Sequence, residues 1–428
     1  MKKTFIIKDS KIEISCKVFP LNLRTTFGTS HSFSNKRENI LITISNGNET
    51  GFGEVGLPPK KPPIYVADPD DVMEWMKSLF SLLDFLLSDS LETENVDLRK
   101  QLDSYDLYSN IPQQKPKDVN VPYPIHVLFF ALDYCPANLE SYANPAKSGF
   151  EMAIWDLFGK LTKQTARKLL GIEGNEGLGF YTIAMTDNKE ETKNTIKFGR
   201  KYTNNLKIKV NLDFEWIKFV FSEILEQEKE DNSSVKDGDD SAKKLGQLCV
   251  DANGSWDTGF VERFVSFVNV TCPKRVVMVE QPFPPVFPSD QNINEKWKNA
   301  KIISHSAGIL FYADESFSDQ NQIQTLAPFI DGVIIKLEKT GGLRNAVSVI
   351  TQAKQAGLKI WIGMMVGSIL LSNASAVLLP LAEKADVDGA LLVDDQSQPF
   401  KGGFEWNPQT GIISLSQSYG LGIETKDN

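Results

Sequence analysis

Charged residues recur near the ends of short apolar runs. Lys209 ends LKIK, Asp251 ends QLCVD, Glu280 ends VVMVE, Asp314 ends ILFYAD and Lys336 ends GVIIK. Asp386 and Asp388 lie in ADVDGALLV. Charges at the ends of buried segments are costly for folding, so they point to chemistry. Asp251, Glu280 and Asp314 offer three hard oxygen ligands with no His or Cys among them. That set suits Mg²⁺, with Mn²⁺ as the alternative. Lys207 and Lys209 are two apart and share one face of a strand. A like charge and a nearby divalent cation both disfavour an ammonium ion, which is how a lysine becomes a base near neutral pH. A lysine on each side of a metal-held carboxylate can remove a proton from the adjacent carbon and return one to its other face.

The elements that must position these groups follow from the spacing. From about residue 180, eight β-type runs recur: YTIAM, LKIKV, QLCVDAN, VVMVEQP, ILFYADES, GVIIKL, KIWIGMM and DGALLV. Helical stretches fill most gaps, at a step of about 30 residues, which matches a closed (β/α)8-type barrel. Lys336 lies four strands after Lys209, which in an eight-strand ring is the opposite side. Upstream, KIEISCKVF and ENILITISNG alternate as strands, with the polar segment PLNLRTTFGTSHSFSNK expected as a long loop between them. Residues 70–90 have helical spacing, 92–145 read as irregular, and AKSGFEMAIWDLFGKLTKQTARKLLG reads as a helix pair. The acidic stretch at about 228–243 reads as a solvated insertion. After the eighth run, KGGFEWNPQTGIISLSQSYGLGIE has strand and turn signals and is expected to return to the N-terminal strands.

The chain has 428 residues and a net charge of −9. That length accommodates a barrel with a smaller partner domain. The acidic balance disfavours nucleic acid or an anionic membrane as a partner. The opening MKKTFII is too short an apolar run for a secretory signal, and no stretch approaches a membrane span. Cys16, Cys135, Cys249 and Cys272 are scattered and read as reduced core residues, so a cytoplasmic protein is the expectation.

The lysine pair in LKIKV, with VDANGSW, VEQP, ADES and IKLEKTGG, resembles the enolase superfamily in its muconate-lactonizing-enzyme-like subgroup. The resemblance runs from about Phe5 to Glu424. It implies an α/β fold, a (β/α)7β modified TIM barrel with an α+β capping domain built from both termini. The expected divisions are 1–150 for the cap, with an insertion at about 57–145, then 151–400 for the barrel and 401–428 for the return to the cap. The resemblance implies one Mg²⁺ per subunit on Asp251, Glu280 and Asp314. It makes Lys209 and Lys336 the acid/base pair, with Lys207 tuning its neighbour. Barrels of this kind often form homo-oligomers.

Within that subgroup the chain resembles the dipeptide epimerases. There an Asp-x-Asp on the eighth strand holds the substrate's ammonium, and Asp386 and Asp388 match it. GMMVGS resembles a substrate-contacting segment, which brings in Met365 and Ser368. The cap loop, Leu23 to Ser30, is expected to set specificity. Gly28 stands where a basic residue can pair a glutamyl side chain, and Phe27 and Phe33 make the loop apolar, which favours hydrophobic or Ala-Xaa dipeptides. Arg24 leaves acidic ones open. An N-acylamino acid racemase or an o-succinylbenzoate synthase keeps the same site without the ammonium, and a non-catalytic binding protein is the third reading. His31, His126 and His305 form no motif.

Overall fold

The computed structural model describes all residues except 29–32, 61–64, 89–95, 110, 113–115, 117–118, 137–139, 234–244, 286–290, 318–319 and 427–428. The chain opens with four antiparallel strands in sequential order: β1 (Lys2–Ile7), β2 (Ser10–Gly28), β3 (Phe33–Ser45) and β4 (Thr50–Val55). Alternation builds their inner face, with Ile12, Ile14 and Cys16 of β2 and Ile40, Ile42 and Ile44 of β3 all buried. The long loop expected between β2 and β3 is instead mostly strand. Leu21 pairs with Arg37, Asn22 with Lys36 and Phe27 with Ser34, with a register shift between Asn22 and Phe27. Thr25, Thr26 and Phe27 favour extended backbone, and cross-strand pairing outweighs the polar composition. His31 lies outside the described residues, as does most of the acidic insertion.

The helix Pro69–Leu86 starts where Asp68 caps it and Asp71 completes a capping box. It buries Val72, Trp75, Met76, Leu79, Phe80 and Leu83. The stretch read as irregular contains helices Val96–Ser104 and Tyr123–Tyr134 and the start of Glu140–Thr162. In Tyr123–Tyr134 every residue from Val127 to Leu132 is buried. A helix that is apolar all round has no amphipathic period to read.

After the short strand β5 (Glu176–Leu178), eight parallel strands follow in sequential order: β6 (Tyr181–Ile183), β7 (Leu206–Lys209), β8 (Leu248–Asp251), β9 (Val276–Glu280), β10 (Leu310–Ala313), β11 (Gly332–Ile335), β12 (Lys359–Ile362) and β13 (Lys384–Ala385). The ring closes where the Phe180 N–H donates to Ala385 O at 2.8 Å and Gly179 bridges Ala385. This is a modified TIM barrel under an antiparallel cap. The eighth strand needs correcting. DGALLV is not a strand, since Gly389–Leu392 is a helical turn, and β13 precedes Asp386 instead. The apolar GALL segment reads equally as strand or buried helix at that length.

The chain ends with β14 (Phe400–Gly402), β15 (Glu405–Trp406), β16 (Ile412–Ser414) and β17 (Ile423–Thr425). Strand β14 pairs with β17, and β15 with β16, which pairs in turn with β5. The Phe400 ring lies 5.3 Å from that of Phe52 in the cap. Among the described residues no helix is long and apolar enough to cross a membrane. All four cysteines are free and buried.

Candidate active site

Period-two alternation sends every second residue of a barrel strand inward. Phe180, Cys249, Met278, Tyr312, Ile334 and Trp361 form a separate buried apolar cluster inside the ring. Two residues further along their strands stand Asp251, Glu280, Asp314 and Lys336. The apolar cluster is therefore a floor, and the charged residues form the next layer toward the strands' C-terminal ends. Lys209, Asp251 and Glu280 are successive register partners across β7, β8 and β9.

Each carboxylate of this layer meets a lysine. Lys209 Nζ lies 2.7 Å from Asp251 Oδ2, and Lys336 Nζ lies 2.7 Å from Asp314 Oδ2. Lys207 Nζ sits 2.6 Å from Glu280 Oε2 and 2.9 Å from Asp386 Oδ2. Burial acts to lower Lys207 and Lys336, yet the facing carboxylates hold both well above the ordinary lysine value. Burial raises Glu280, and Asp251 and Asp314 add to it, so its carboxyl stands well above the usual range. Burial also opposes ionisation of Asp251 and Asp314, but the adjacent lysines outweigh it and both are lowered.

Asp386 and Asp388 follow β13. The Trp361 indole N–H donates to Asp386 Oδ1. The Thr182 N–H donates to Asp388 Oδ2 at 2.6 Å. Burial, then the Asp386 charge, pushes the Asp388 carboxyl up to about 7.

The donor set fits a hard divalent cation. Asp251, Glu280 and Asp314 are at most 1 % exposed. Among the described residues neither Glu280 oxygen accepts a well-directed hydrogen bond, and burial followed by its neighbours' negative charges raises its pKa. Lys207, at 2.6 Å and shared with Asp386, is the one cation facing it among the described residues, so acceptor capacity remains for a metal ion. Among the described residues no three acidic, His or Cys groups are gathered as a ready-made metal cluster. Here the lysine ammonium groups provide the countercharge.

A cavity of about 220 Å³ opens over this layer, lined among others by Lys207, Lys209, Asp314, Lys336, Asp386 and Asp388. Phe27 and Met365 also line it. Three expected contacts do not. Arg24 is paired with Asp395 at 2.9 Å, and it also donates to Leu391 O at 3.3 Å. Ser368 caps the helix Ile369–Ala376, and its N–H donates to Glu54 Oε1 at 3.1 Å, which ties the barrel to the cap. At Gly28 the carbonyl accepts from the Met185 N–H at 3.1 Å, and a Cβ there would stand 2.2 Å from Met185 O. The close backbone approach requires glycine at that position. His126 and His305 bond Leu102 O and Asp331 respectively.

Several residues of the site went unread in the sequence. Lys339, one helical turn after Lys336, donates to Asp314 Oδ1 at 2.6 Å. Its i, i+3 spacing within IKLEKTGG is the signal that could have found it. Asn253 holds the Asp251 carboxylate through its N–H (3.0 Å) and Nδ2 (3.2 Å). Tyr65 lines the cavity, with its hydroxyl 3.4 Å from Asp314 Oδ2. The insertion at 57–145 therefore contacts one of the motif residues. No local pattern announces Tyr65 or the cavity-lining Arg37.

Residues 200–428 match the family model described as enolase C-terminal domain-like. The chain is 35 % identical over 446 residues to an enolase superfamily member of Dictyostelium discoideum, covering 99 % of this chain and 98 % of that one. It is 23 % identical to an L-Ala-D/L-Glu epimerase of Bacteroides thetaiotaomicron, covering 96 % and 88 % of the two chains. Its fold is similar to a substrate complex of the L-Ala-D/L-Glu epimerase from Bacillus subtilis, at TM-score 0.69 and 19 % identity over 96 % and 98 % of the chains. The dipeptide epimerase of Enterococcus faecalis, complexed with Mg and L-Leu-L-Tyr, aligns at TM-score 0.66 and 18 % identity over the same shares. With the lysines, acidic residues and closed barrel already in place, these matches make the chain a member of the enolase superfamily, among relatives that are epimerases and racemases.

Proposed function

We propose that this protein is a cytoplasmic, Mg²⁺-dependent dipeptide epimerase. It inverts the α-carbon of the C-terminal residue of L,L/L,D dipeptides by 1,1-proton transfer between two lysines. The observation that carries this reading is one cavity lined by Lys209, by Lys336 four strands away, and by the carboxylates of Asp386 and Asp388.

Asp251, Glu280 and Asp314 would hold the cation, which supplies fixed positive charge at the substrate carboxylate and so acidifies the neighbouring C–H. Lys209 and Lys336 each address one face of the α-carbon. The lysine that takes the proton must be neutral at that moment, and its partner must be an ammonium able to return one. Lys207 stays charged between Glu280 and Asp386 and keeps a positive field beneath Lys209. Asp386 and Asp388 hold the α-ammonium of the N-terminal residue, which fixes the dipeptide's direction in the cavity.

The racemase and synthase alternatives use substrates without a free ammonium, and two buried carboxylates facing the same cavity count against them. The test is incubation of the full chain with a library of L,L-dipeptides in D₂O with MgCl₂, read by NMR and mass spectrometry. Deuterium should enter only at the C-terminal α-carbon, with the D-epimer accumulating. No deuterium uptake across a broad library would sink the proposal.

A further inference from the structure

Among the described residues five cations line the cavity, and four of them have carboxylate partners. Lys207, Lys209 and Lys336 are paired within the charged layer, and Lys60 lies 2.5 Å from Asp68 and 3.3 Å from Asp71. The fifth, Arg37, has no carboxylate partner among the described residues. Its Nη1 donates to the Lys36 carbonyl at 2.9 Å. It is nonetheless 7 % exposed, so it is no ordinary surface arginine with its head in water. Burial pulls its pKa down to about 10, which leaves it a cation at neutral pH. A buried guanidinium with most of its five donors unspent is arranged for an anion that arrives from outside.

The neighbouring ring says where that anion sits. Arg37 Cζ lies 5.5 Å from the centre of the Phe27 ring, and Lys209 Nζ lies 5.7 Å from the same centre. Arg37 is thus separated by one aromatic ring from a lysine that addresses the α-carbon. A side chain leaving that carbon can lay its methylenes along Phe27 and present its end group to Arg37. The apolar Phe27 and the cation then serve the two halves of one side chain.

We propose that Arg37 is the specificity-determining residue of this site, receiving the side-chain carboxylate of an acidic C-terminal residue. The inference rests on the dipeptide reading above and narrows its substrate class to dipeptides such as L-Ala-L-Glu. The cation comes from strand β3, not from the cap segment at Leu23 to Ser30, where Arg24 is already spent on Asp395. An aspartyl side chain, one methylene shorter, reaches Arg37 less well and is the poorer substrate.

The test compares L-Ala-L-Glu with L-Ala-L-Gln, which has nearly the same shape and no charge, using the full chain with MgCl₂. Wild type should favour the glutamyl dipeptide by roughly 30-fold or more in kcat/KM, mainly through KM. Arg37→Met should collapse that ratio toward one, and Arg37→Lys should keep part of it. Equal wild-type kcat/KM on the two dipeptides would overturn the proposal. So would an Arg37→Met variant that slows both equally. Should Arg37→Met not fold, the wild-type ratio and Arg37→Lys still decide. Calorimetric titration separates this inference from the reading beneath it. Tighter binding of L-Ala-L-Glu than of L-Ala-L-Gln, with exchange of neither, upholds the role of Arg37 and defeats the epimerase. Exchange of both at equal rates does the reverse.

Discussion

Lys207 Nζ lies 2.6 Å from Glu280 Oε2, across the one strand that separates β7 from β9, and neither side chain is more than 2 % exposed. Lys207 also reaches Asp386, so one buried cation neutralises a carboxylate of the proposed metal set and one of the ammonium set. Lys207→Met leaves both without that partner. Breaking a buried ion pair from one side costs about 3–5 kcal/mol. Urea denaturation of the two proteins should show a loss of that order. A loss below about 1 kcal/mol would mean that Glu280 and Asp386 find other partners.

The two lysines proposed to act on the substrate differ in position by four strands, which gives their variants a distinctive signature. Lys209→Ala and Lys336→Ala should each slow inversion by about 10²–10⁴-fold. Each variant keeps the lysine on one face, so it should still exchange the α-proton of one stereoisomer and not of the other. Proton exchange into separate L,L and L,D substrates checks this. Full inversion by either variant rules out a two-base mechanism.

The buried Glu280 carboxylate, which shares its one facing ammonium with Asp386, predicts stabilisation by a divalent cation in the absence of substrate. A ligand at 100 times its dissociation constant stabilises by about 2.7 kcal/mol. Wild-type Tm should therefore rise with MgCl₂ and fall back on adding EDTA. Glu280→Gln and Asp314→Asn should lose most of that response. An unchanged response in both variants would place the cation elsewhere.

The legible part of this molecule is the part where chemistry and strand period coincide. Lys209, Asp251, Glu280, Asp314 and Lys336 each end an apolar run, and the structure brings all five into one charged layer. What was hidden depends on contacts between segments far apart in the chain. Tyr65 reaches Asp314 from a stretch without clear periodicity. Arg37 reads as one more charge on a polar edge, and only its pairing on β3 buries it. Gly28 reads as a missing basic residue until Met185 is seen against its backbone. The eighth strand failed for a local reason: two residues of β13 carry no alternation, while the apolar turn after Asp388 looks like a strand.

Asp388 should make the enzyme's pH dependence diagnostic. Burial and Asp386 lift its carboxyl to about 7 in the folded chain, whereas an unfolded aspartate titrates near about 3.9. Between those values the folded state holds a proton that the unfolded state has released. This group's contribution to stability is therefore full below about pH 4 and is lost as pH rises to about 7. Binding an ammonium requires the ionised form, so kcat/KM for a dipeptide should climb through about pH 7, on the limb where this stability is being lost. Once the ammonium is bound, its charge favours the carboxylate, and the same limb should move to lower pH in kcat. Asp388→Asn should remove the limb, flatten this part of the stability profile and cut dipeptide turnover by roughly 30-fold or more, as for a truncated buried charge pair. Measuring both profiles on both proteins makes the test specific. A variant that kept the acid limb would assign it to another group, and one that kept dipeptide turnover would remove Asp388 from the ammonium site.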